Sequence, residues 1–272
     1  MKIEKYNQKL LAVLGTVGVL FLIVALIAFI SVTIIEHRRY SYDDVETGIL
    51  SDEKIEELQK ENKREQVISY KTPKLIDTLN SIYIVPVSHK TLNEEEDISG
   101  LLNAISVSGN FESPDTRYSS GFYGTYNNII VYHSNDGINK KLFDKRVNFN
   151  TINTEYFDKE ILLFIKASEK DTHKDGVINL KDFKSLYIYS FSQNEMKKIG
   201  IDGMDVYNYK FINNSKNLII EFGVDKNNDG QYQEYNEPTL IKKYDFESGK
   251  LTDIINEKIN SDLQKTLEGT QK

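Results

Sequence analysis

The stretch Ile161–Ile199, ILLFIKASEKDTHKDGVINLKDFKSLYIYSFSQNEMKKI, carries the pattern that decides the fold. It begins with a short apolar run, continues through an acidic loop with the order D-x-x-x-D-G, and ends in two β-prone runs that flank a tight turn. The stretch Ile219–Ile254, IIEFGVDKNNDGQYQEYNEPTLIKKYDFESGKLTDI, has the same order. Three residues of each loop correspond at a constant shift of 54 residues: Asp171, Asp175 and Gly176 with Asp225, Asp229 and Gly230. The sequence therefore predicts a repeated unit over 161–199 and 219–254.

Repeats of roughly this length, built from three or four strands, are typical of β-propeller blades. A looser copy without the acidic loop precedes them at Ile129–Phe143, and Asp136-Gly137 and Ser248-Gly249 are hairpin turn signals between β-prone runs. Three copies are fewer than the usual number of blades in a closed ring, which is about four to eight. We therefore predict an all-β fold with propeller-like repeats that are open or partial. A packed pair of sheets, or closure through a partner, are the alternatives.

Both acidic loops have the oxygen-rich composition of a calcium site. Calcium takes several hard oxygen ligands, and an EF-hand-type loop supplies them from alternating positions around a glycine turn. The predicted ligands in loop one are Asp171, His173, Asp175, the carbonyl of Val177, and Asp182. The predicted ligands in loop two are Asp225, Asn227, Asp229, the carbonyl of Gln231, and Asn236 or Glu237. Calcium is therefore the predicted cofactor.

Three considerations qualify this prediction. His173 weakens loop one, because imidazole is a poor calcium ligand and suits zinc or copper better. Magnesium fits less well than calcium, because it prefers a rigid octahedron and keeps several waters. The alternative is that both loops are plain acidic turns held by Asx hydrogen bonds.

The two loop segments with their following strands resemble the acidic-loop blades of TolB-like, WD-repeat-like β-propeller proteins, in particular membrane-anchored bacterial proteins of unassigned function. The resemblance covers roughly Tyr118–Ile255, about half of the chain. It implies a propeller-type fold and almost nothing about activity. Loop one also resembles a dockerin calcium segment, but dockerin repeats lie closer together and continue into helices, whereas Leu186–Phe191 is β-prone.

Composition excludes several functional classes. The chain of 272 residues has 41 Asp and Glu against 34 Lys and Arg, so its net charge of −7 argues against a nucleic-acid groove. The absence of cysteine excludes disulfides, thiolate metal sites and a cysteine nucleophile. The sequence contains no G-x-S-x-G, GxGxxG, P-loop or H-E-x-x-H motif, and the four histidines are scattered. We therefore predict that the protein is not an enzyme.

The amino-terminal part has the pattern of a membrane anchor. The segment 10–35, LLAVLGTVGVLFLIVALIAFISVTII, contains 26 residues without a charge, and a helix needs about 20 such residues to cross a bilayer. The preceding tail, 1–9, carries Lys2, Lys5 and Lys9, which the positive-inside rule places in the cytoplasm. These features predict an uncleaved signal-anchor with a periplasmic or otherwise extracytoplasmic carboxy-terminal domain.

The remaining boundaries follow from changes in composition. Segment 36–72 is predicted to be a stalk, helical over 51–66, since that stretch is rich in helix formers and begins at Ser51 and Asp52. A coiled coil is less favoured, because the apolar spacing is not sustained. The β-rich exported domain is predicted over 73–257, followed by a polar tail at 258–272.

The functional hypothesis is a non-enzymatic, membrane-anchored β-domain that is stabilised by calcium. It is expected to serve as an accessory or scaffold subunit for a protein partner in an envelope complex. The alternative is a sensory module that responds to calcium or a small ligand and signals through its transmembrane helix.

Overall fold

The computed structural model describes residues 14–18, 21–22, 25–26, 48–61, 63, 65–91, 121–158, 160–213 and 215–269. The chain forms two compact units, Met1–Glu46 and Thr47–Lys272. In the first unit the described residues 14–18, 21–22 and 25–26 are helical and exposed.

The predicted single-pass membrane localisation is wrong for this structure. In the part of the chain that is described, no helix is both long enough and apolar enough to cross a membrane. The described helical residues within 10–35 are 14–18, 21–22 and 25–26. The rest of the predicted span, and the whole of the tail 1–9 with its lysines, lie outside the described residues.

The described part of the second unit is mostly β, as predicted, and also contains two short helices. Helix α1 is Asp52–Lys60 and helix α2 is Glu257–Glu268. The strands are β1 Ile49–Leu50, β2 Gln66–Tyr70, β3 Lys74–Asp77, β4 Ile82–Thr91, β5 Gly121–Tyr126, β6 Asn128–His133, β7 Asn139–Lys141, β8 Phe149–Phe157, β9 Glu160–Ser168, β10 Val177–Ile178, β11 Lys184–Ser190, β12 Glu195–Ile199, β13 Met204–Phe211, β14 Leu218–Val224, β15 Thr239–Asp245 and β16 Lys250–Asp253.

These strands form three larger antiparallel sheets and one two-stranded sheet, β1-β10. Sheet one has the order β2-β4-β6-β7, with β3 also paired to β4. Sheet two has the order β12-β11-β9-β8-β5, and sheet three has the order β13-β14-β15-β16. The predicted repeat units contribute β9, β11 and β12 to sheet two and β14, β15 and β16 to sheet three, in the same order. The described sheets do not close into a ring.

Sheet two lies between the other two sheets and is buried on both faces. Successive residues of a strand point to opposite faces, so Leu163 and Ile165 of β9 join the core shared with sheet one. Leu162 and Phe164 of the same strand join the core shared with sheet three. The continuous apolar run at the start of the repeat is therefore a strand with two buried faces, and not a half-exposed one.

The hairpin turns predicted from dipeptides are confirmed. Asp136-Gly137 joins β6 to β7, and Asp136 Oδ1 accepts the Ile138 N–H at 3.0 Å. Ser248-Gly249 joins β15 to β16, with Gly249 at φ +69°. Both glycines adopt the left-handed region that these tight turns require.

The segment predicted to be a stalk is partly built into the β-domain. Ser51 caps α1 by accepting the Lys54 N–H at 3.4 Å, and Leu58 of this helix is buried. Strand β1 pairs with β10, and β2 pairs with β4. Helix α2 forms where the sequence predicted a polar tail, with the side chain of Asn256 as its amino-terminal cap.

Glu169 connects the end of β9 to its neighbours and makes folding sensitive to acid. Its carboxylate accepts hydrogen bonds from Lys198 and from Tyr187 Oη, the latter at 2.7 Å. Burial alone would raise the pKa of Glu169, but these hydrogen bonds and the Lys198 charge outweigh it and lower the pKa to about 2. A carboxyl whose pKa is lower in the folded state stabilises the protein above its unfolded pKa, and that contribution is lost as the pH falls.

We therefore expect the free energy of unfolding of the wild-type protein to decrease between pH 5 and pH 3, by about 1 kcal/mol or more through this group. Glu169→Gln should be less stable at neutral pH and should lose less stability over the same interval. Urea unfolding at both pH values measures the difference, with the exposed Glu195→Gln as the matched control. Equal losses for the wild type and Glu169→Gln would contradict this assignment.

Candidate functional site

Loop one connects β9 to β11 and is held by its own aspartates. The Asp171 carboxylate accepts the backbone N–H groups of Asp175 at 3.2 Å and Gly176 at 2.9 Å. The Asp175 carboxylate accepts the Val177 N–H at 3.1 Å and Asn179 Nδ2 at 2.9 Å. These are Asx-type turns, in which a short acidic side chain bonds to the backbone that follows it.

Asp182 closes loop one from a fully buried position. Its Oδ1 accepts the N–H groups of Thr172 at 2.6 Å and His173 at 3.0 Å, and its Oδ2 accepts the Asn179 N–H at 2.8 Å. The Thr172 hydroxyl lies 3.2 Å from Oδ1. Burial raises the pKa of Asp182, and these hydrogen bonds oppose the shift without cancelling it.

Loop two connects β14 to β15 and repeats this arrangement. Asp225 accepts the N–H groups of Asn228 at 2.6 Å and Gly230 at 3.0 Å. Asp229 accepts the Gln231 N–H at 3.1 Å and Gln233 Nε2 at 3.1 Å. Three of these four contacts have an equivalent in loop one: those made by Gly230, Gln231 and Gln233 correspond to those made by Gly176, Val177 and Asn179. The sequence repeat is therefore largely a repeat of hydrogen bonds as well as of residue types.

Glu237, and not Asn236, occupies the position in loop two that Asp182 occupies in loop one. The Glu237 carboxylate accepts the N–H groups of Lys226 at 2.7 Å, Asn227 at 3.3 Å and Gln233 at 2.9 Å. These bonds, chiefly that from Gln233, lower the pKa of Glu237. Asn236 is exposed, and its side-chain Nδ2 donates to Gln233 Oε1 at 3.1 Å. The longer glutamate side chain makes up for the one-residue offset from the repeat.

The two loops also contact each other. The Thr172 hydroxyl donates to the Gly230 carbonyl at 2.6 Å, and His173 Nδ1 lies 3.0 Å from the Asp229 carbonyl. Because a carbonyl oxygen can only accept, Nδ1 carries the proton in this contact. An isolated β-bridge joins Asp182 to Gln231. His173, predicted as a metal ligand, therefore links loop one to the backbone of loop two.

The described residues contain no group of three or more His, Asp or Glu side chains placed to hold a metal ion. Within each loop the predicted aspartate and glutamate ligands accept N–H groups, and Val177 is buried in β10, where it pairs with Leu50. A carboxylate has about four lone-pair sites, so the acceptor capacity of Asp171 and Asp225 is not exhausted by two bonds each. The donor set is chemically suited to calcium, and the calcium site stays a prediction.

Sequence reasoning missed two kinds of residue at this site. Asn179 and Gln233, which bond to the second aspartate of their loops, are separated by the same 54 residues as the aspartates. This spacing was the available signal. The Ser51 N–H, which donates to the Gly176 carbonyl at 2.8 Å, lies far from loop one in sequence and left no such signal.

No family model, no curated protein and no solved structure matches this chain. The resemblance to TolB-like and WD-repeat-like propellers therefore remains a prediction.

Proposed function

We propose that the protein is a non-enzymatic β-repeat domain that calcium stabilises at its paired acidic loops and that serves as a scaffold for a protein partner. The observation that carries the proposal is the duplicated hydrogen-bond pattern of the loops. In both, acidic side chains bond to backbone N–H groups, which is a structural use of carboxylates and not a catalytic one. The three stacked sheets are proposed to be an open, propeller-like array.

Calcium would reduce the electrostatic repulsion between the carboxylates of the acidic loops. Asp225 and Asp229 carry negative charge within one short loop, and Asp229 lies beside the contact with loop one. A cation coordinated by their remaining lone pairs would favour the ionised forms. His173 is occupied by loop two, so loop two holds the better donor set.

The protein-binding part of the proposal is supported by the outer face of sheet three. Ile219 and Ile241 lie on this face, and their side chains are 38% and 36% exposed. Ile219 pairs with Lys243 across the two strands, and Ile241 pairs with Glu221. If this face contacted only water, we would expect polar side chains across it, as on the terminal repeat of a repeat array. In affinity purification from the source cells, we expect the wild-type chain to retain a specific protein. The variant that combines Ile219→Asp and Ile241→Asp should no longer retain it.

We expect about 1–2 mM calcium to raise the melting temperature of the full chain, within the range that suits weak calcium modules. Binding to the native state contributes about 2.7 kcal/mol at a hundredfold excess over Kd. Asp229→Ala should abolish most of the difference between calcium and chelator, and Asp175→Ala should remove less. Asp136→Ala, in a turn of β6 and β7, is the control and should retain the full difference. A wild-type melting curve that is identical in calcium and chelator would reject calcium binding.

A calcium- or ligand-responsive module is the second candidate. Its support is the contact between loop one and the segment that precedes α1. Strand β1 pairs with β10 at Leu50 and Val177, and the Ser51 N–H donates to the Gly176 carbonyl. Calcium-dependent hydrogen exchange in residues 48–60 would favour this candidate, whereas exchange changes confined to the loops would favour the scaffold.

A further inference from the structure

A polar cavity of about 610 Å³ lies where sheets two and three meet, at the end opposite to the acidic loops. Glu160, which lines the cavity, begins β9, and loop one follows the other end of this strand. Strand β9 is nine residues long, so about 26 Å separates its two ends. The cavity is therefore separate from the acidic loops, and its volume lies in the range of about 300–1,000 Å³ that small-molecule sites occupy.

Two of the charged residues that line the cavity, Glu160 and Lys216, form an ion pair. The Glu160 carboxylate accepts hydrogen bonds from Lys216 Nζ and, at 2.5 Å, from Ser190 Oγ. Burial alone would raise the pKa of Glu160, but these hydrogen bonds and the charge of Lys216 outweigh it and lower the pKa. Both partners are therefore charged, and the pair contributes no net charge to the cavity.

Lys197, on β12, brings a second ammonium group to the cavity and has no carboxylate partner. Its Nζ lies 4.5 Å from the centroid of the Phe246 ring and donates to the Phe246 carbonyl at 3.4 Å. None of the ion pairs among the residues that the structure describes includes Lys197. Because an ammonium group has three donors, two of them remain for a ligand.

Asn217 adds an oriented amide to the same cavity. Its Oδ1 accepts the Phe246 N–H at 2.9 Å, and this bond fixes the orientation of the amide. In the described part of the chain, Asn217 Nδ2 donates to no acceptor. An ammonium group and an amide NH₂ group at one cavity are donors that a carboxylate can accept together.

The cavity also carries a carboxylate without a cation. Glu247 is exposed, and no Lys or Arg within the described ranges pairs with it. Asp245, which also lines the cavity, accepts the Ser248 hydroxyl at 2.7 Å and the Ser248 N–H at 2.8 Å. These bonds, and to a smaller extent the charge of Lys243, lower the pKa of Asp245. Both carboxylates would repel a purely anionic ligand, so the lining favours a ligand that carries both charges.

We propose that this cavity binds a free amino acid, with the carboxylate of the ligand on Lys197 and Asn217 Nδ2 and its ammonium group on Glu247. An unpaired ammonium group and an unpaired carboxylate that line one cavity carry this inference. The inference goes beyond the proposed scaffold function. It does not depend on calcium, because the cavity lies at the opposite end of the sheets from the loops.

Isothermal titration calorimetry of the full chain in chelator, with each proteinogenic amino acid as the probe, tests the proposal. We expect saturable binding of at least one amino acid with a Kd of about 1 mM or lower. Acetate and ethylamine, which each carry only one of the two charges, should bind at least about tenfold more weakly. Absence of saturable binding for every amino acid would overturn the proposal, and so would acetate that binds as tightly as the best amino acid.

Charge-removing variants locate the site. Lys197→Gln and Glu247→Gln should each raise the Kd of the best amino acid by about tenfold or more, because each leaves one charge of the ligand unpaired. Lys197→Arg keeps the positive charge and should retain most of the binding. The matched controls are Lys90→Gln and Glu53→Gln, at exposed positions outside the cavity, which should leave the Kd unchanged. Urea unfolding without ligand verifies that each variant is folded, and an unchanged Kd in folded Lys197→Gln and Glu247→Gln would contradict the assignment.

Discussion

Asp182→Ala is expected to lower the free energy of unfolding by about 3 kcal/mol or more, because it leaves three N–H groups without their acceptor, one of them buried and two partly buried. The carboxylate is fully buried and receives the N–H groups of Thr172, His173 and Asn179. A buried donor without a partner costs about 1–3 kcal/mol. Burial also raises the pKa of Asp182, so removal of the charge recovers a small part of this loss.

Two further variants make the Asp182 result specific. Asp182→Asn keeps an oxygen for Thr172 and His173 but turns an NH₂ group toward the Asn179 N–H, so about half of the loss is expected. Asp136→Ala removes an aspartate from an exposed turn and should change stability by about 1 kcal/mol or less. Urea unfolding in chelator measures all three without a contribution from calcium. A loss for Asp182→Ala no larger than that for Asp136→Ala would show that this carboxylate does not hold the loop.

Gly230→Ala is expected to separate the two acidic loops, whereas the equivalent Gly176→Ala should not. Both glycines have positive φ, +83° and +92°, so both substitutions carry the same backbone cost, about 1–2 kcal/mol. A Cβ at Gly230 would lie 1.9 Å from the Thr172 carbonyl oxygen, but a Cβ at Gly176 would meet nothing within 4 Å. The clash is with backbone, so it is relieved only when one loop moves away from the other.

We therefore expect Gly230→Ala to cost about 2 kcal/mol more than Gly176→Ala, since it adds loss of the Thr172 and His173 contacts to the shared strain. Chemical unfolding gives the free energies, and the NMR shift of His173 Nδ1 reports whether its contact with the Asp229 carbonyl persists. Equal costs for the two variants, with an unchanged His173 signal, would contradict the docking of the loops.

Much of the second unit was predictable from local pattern. The β-prone runs became strands within a few residues of their predicted positions, as Leu186–Phe191 did in β11, Lys184–Ser190. Turn glycines were predictable because few other residues tolerate positive φ. The equivalence of the two loops was visible as a constant shift of 54 residues.

Two predictions from the sequence differ from the structure. The apolar segment at 10–35 predicted a membrane span, whereas the described residues contain no helix that is long and apolar enough to cross a membrane. The predicted polar tail forms α2, in which Asn256 is the amino-terminal cap and the apolar residues recur every four positions. This apolar pattern is too short to be recognised among the charged residues of the segment.

The sequence by itself determined the strand and turn periodicity, the duplication and the acidic composition of the loops, because each depends on neighbouring residues or on a fixed spacing. Tertiary structure decided how those loops are used. It directed carboxylates to backbone N–H groups, selected Glu237 over Asn236, turned His173 toward loop two, and brought β1 against β10. These outcomes follow from stacking three sheets, which places loops 54 residues apart in contact and buries donors that must then find acceptors.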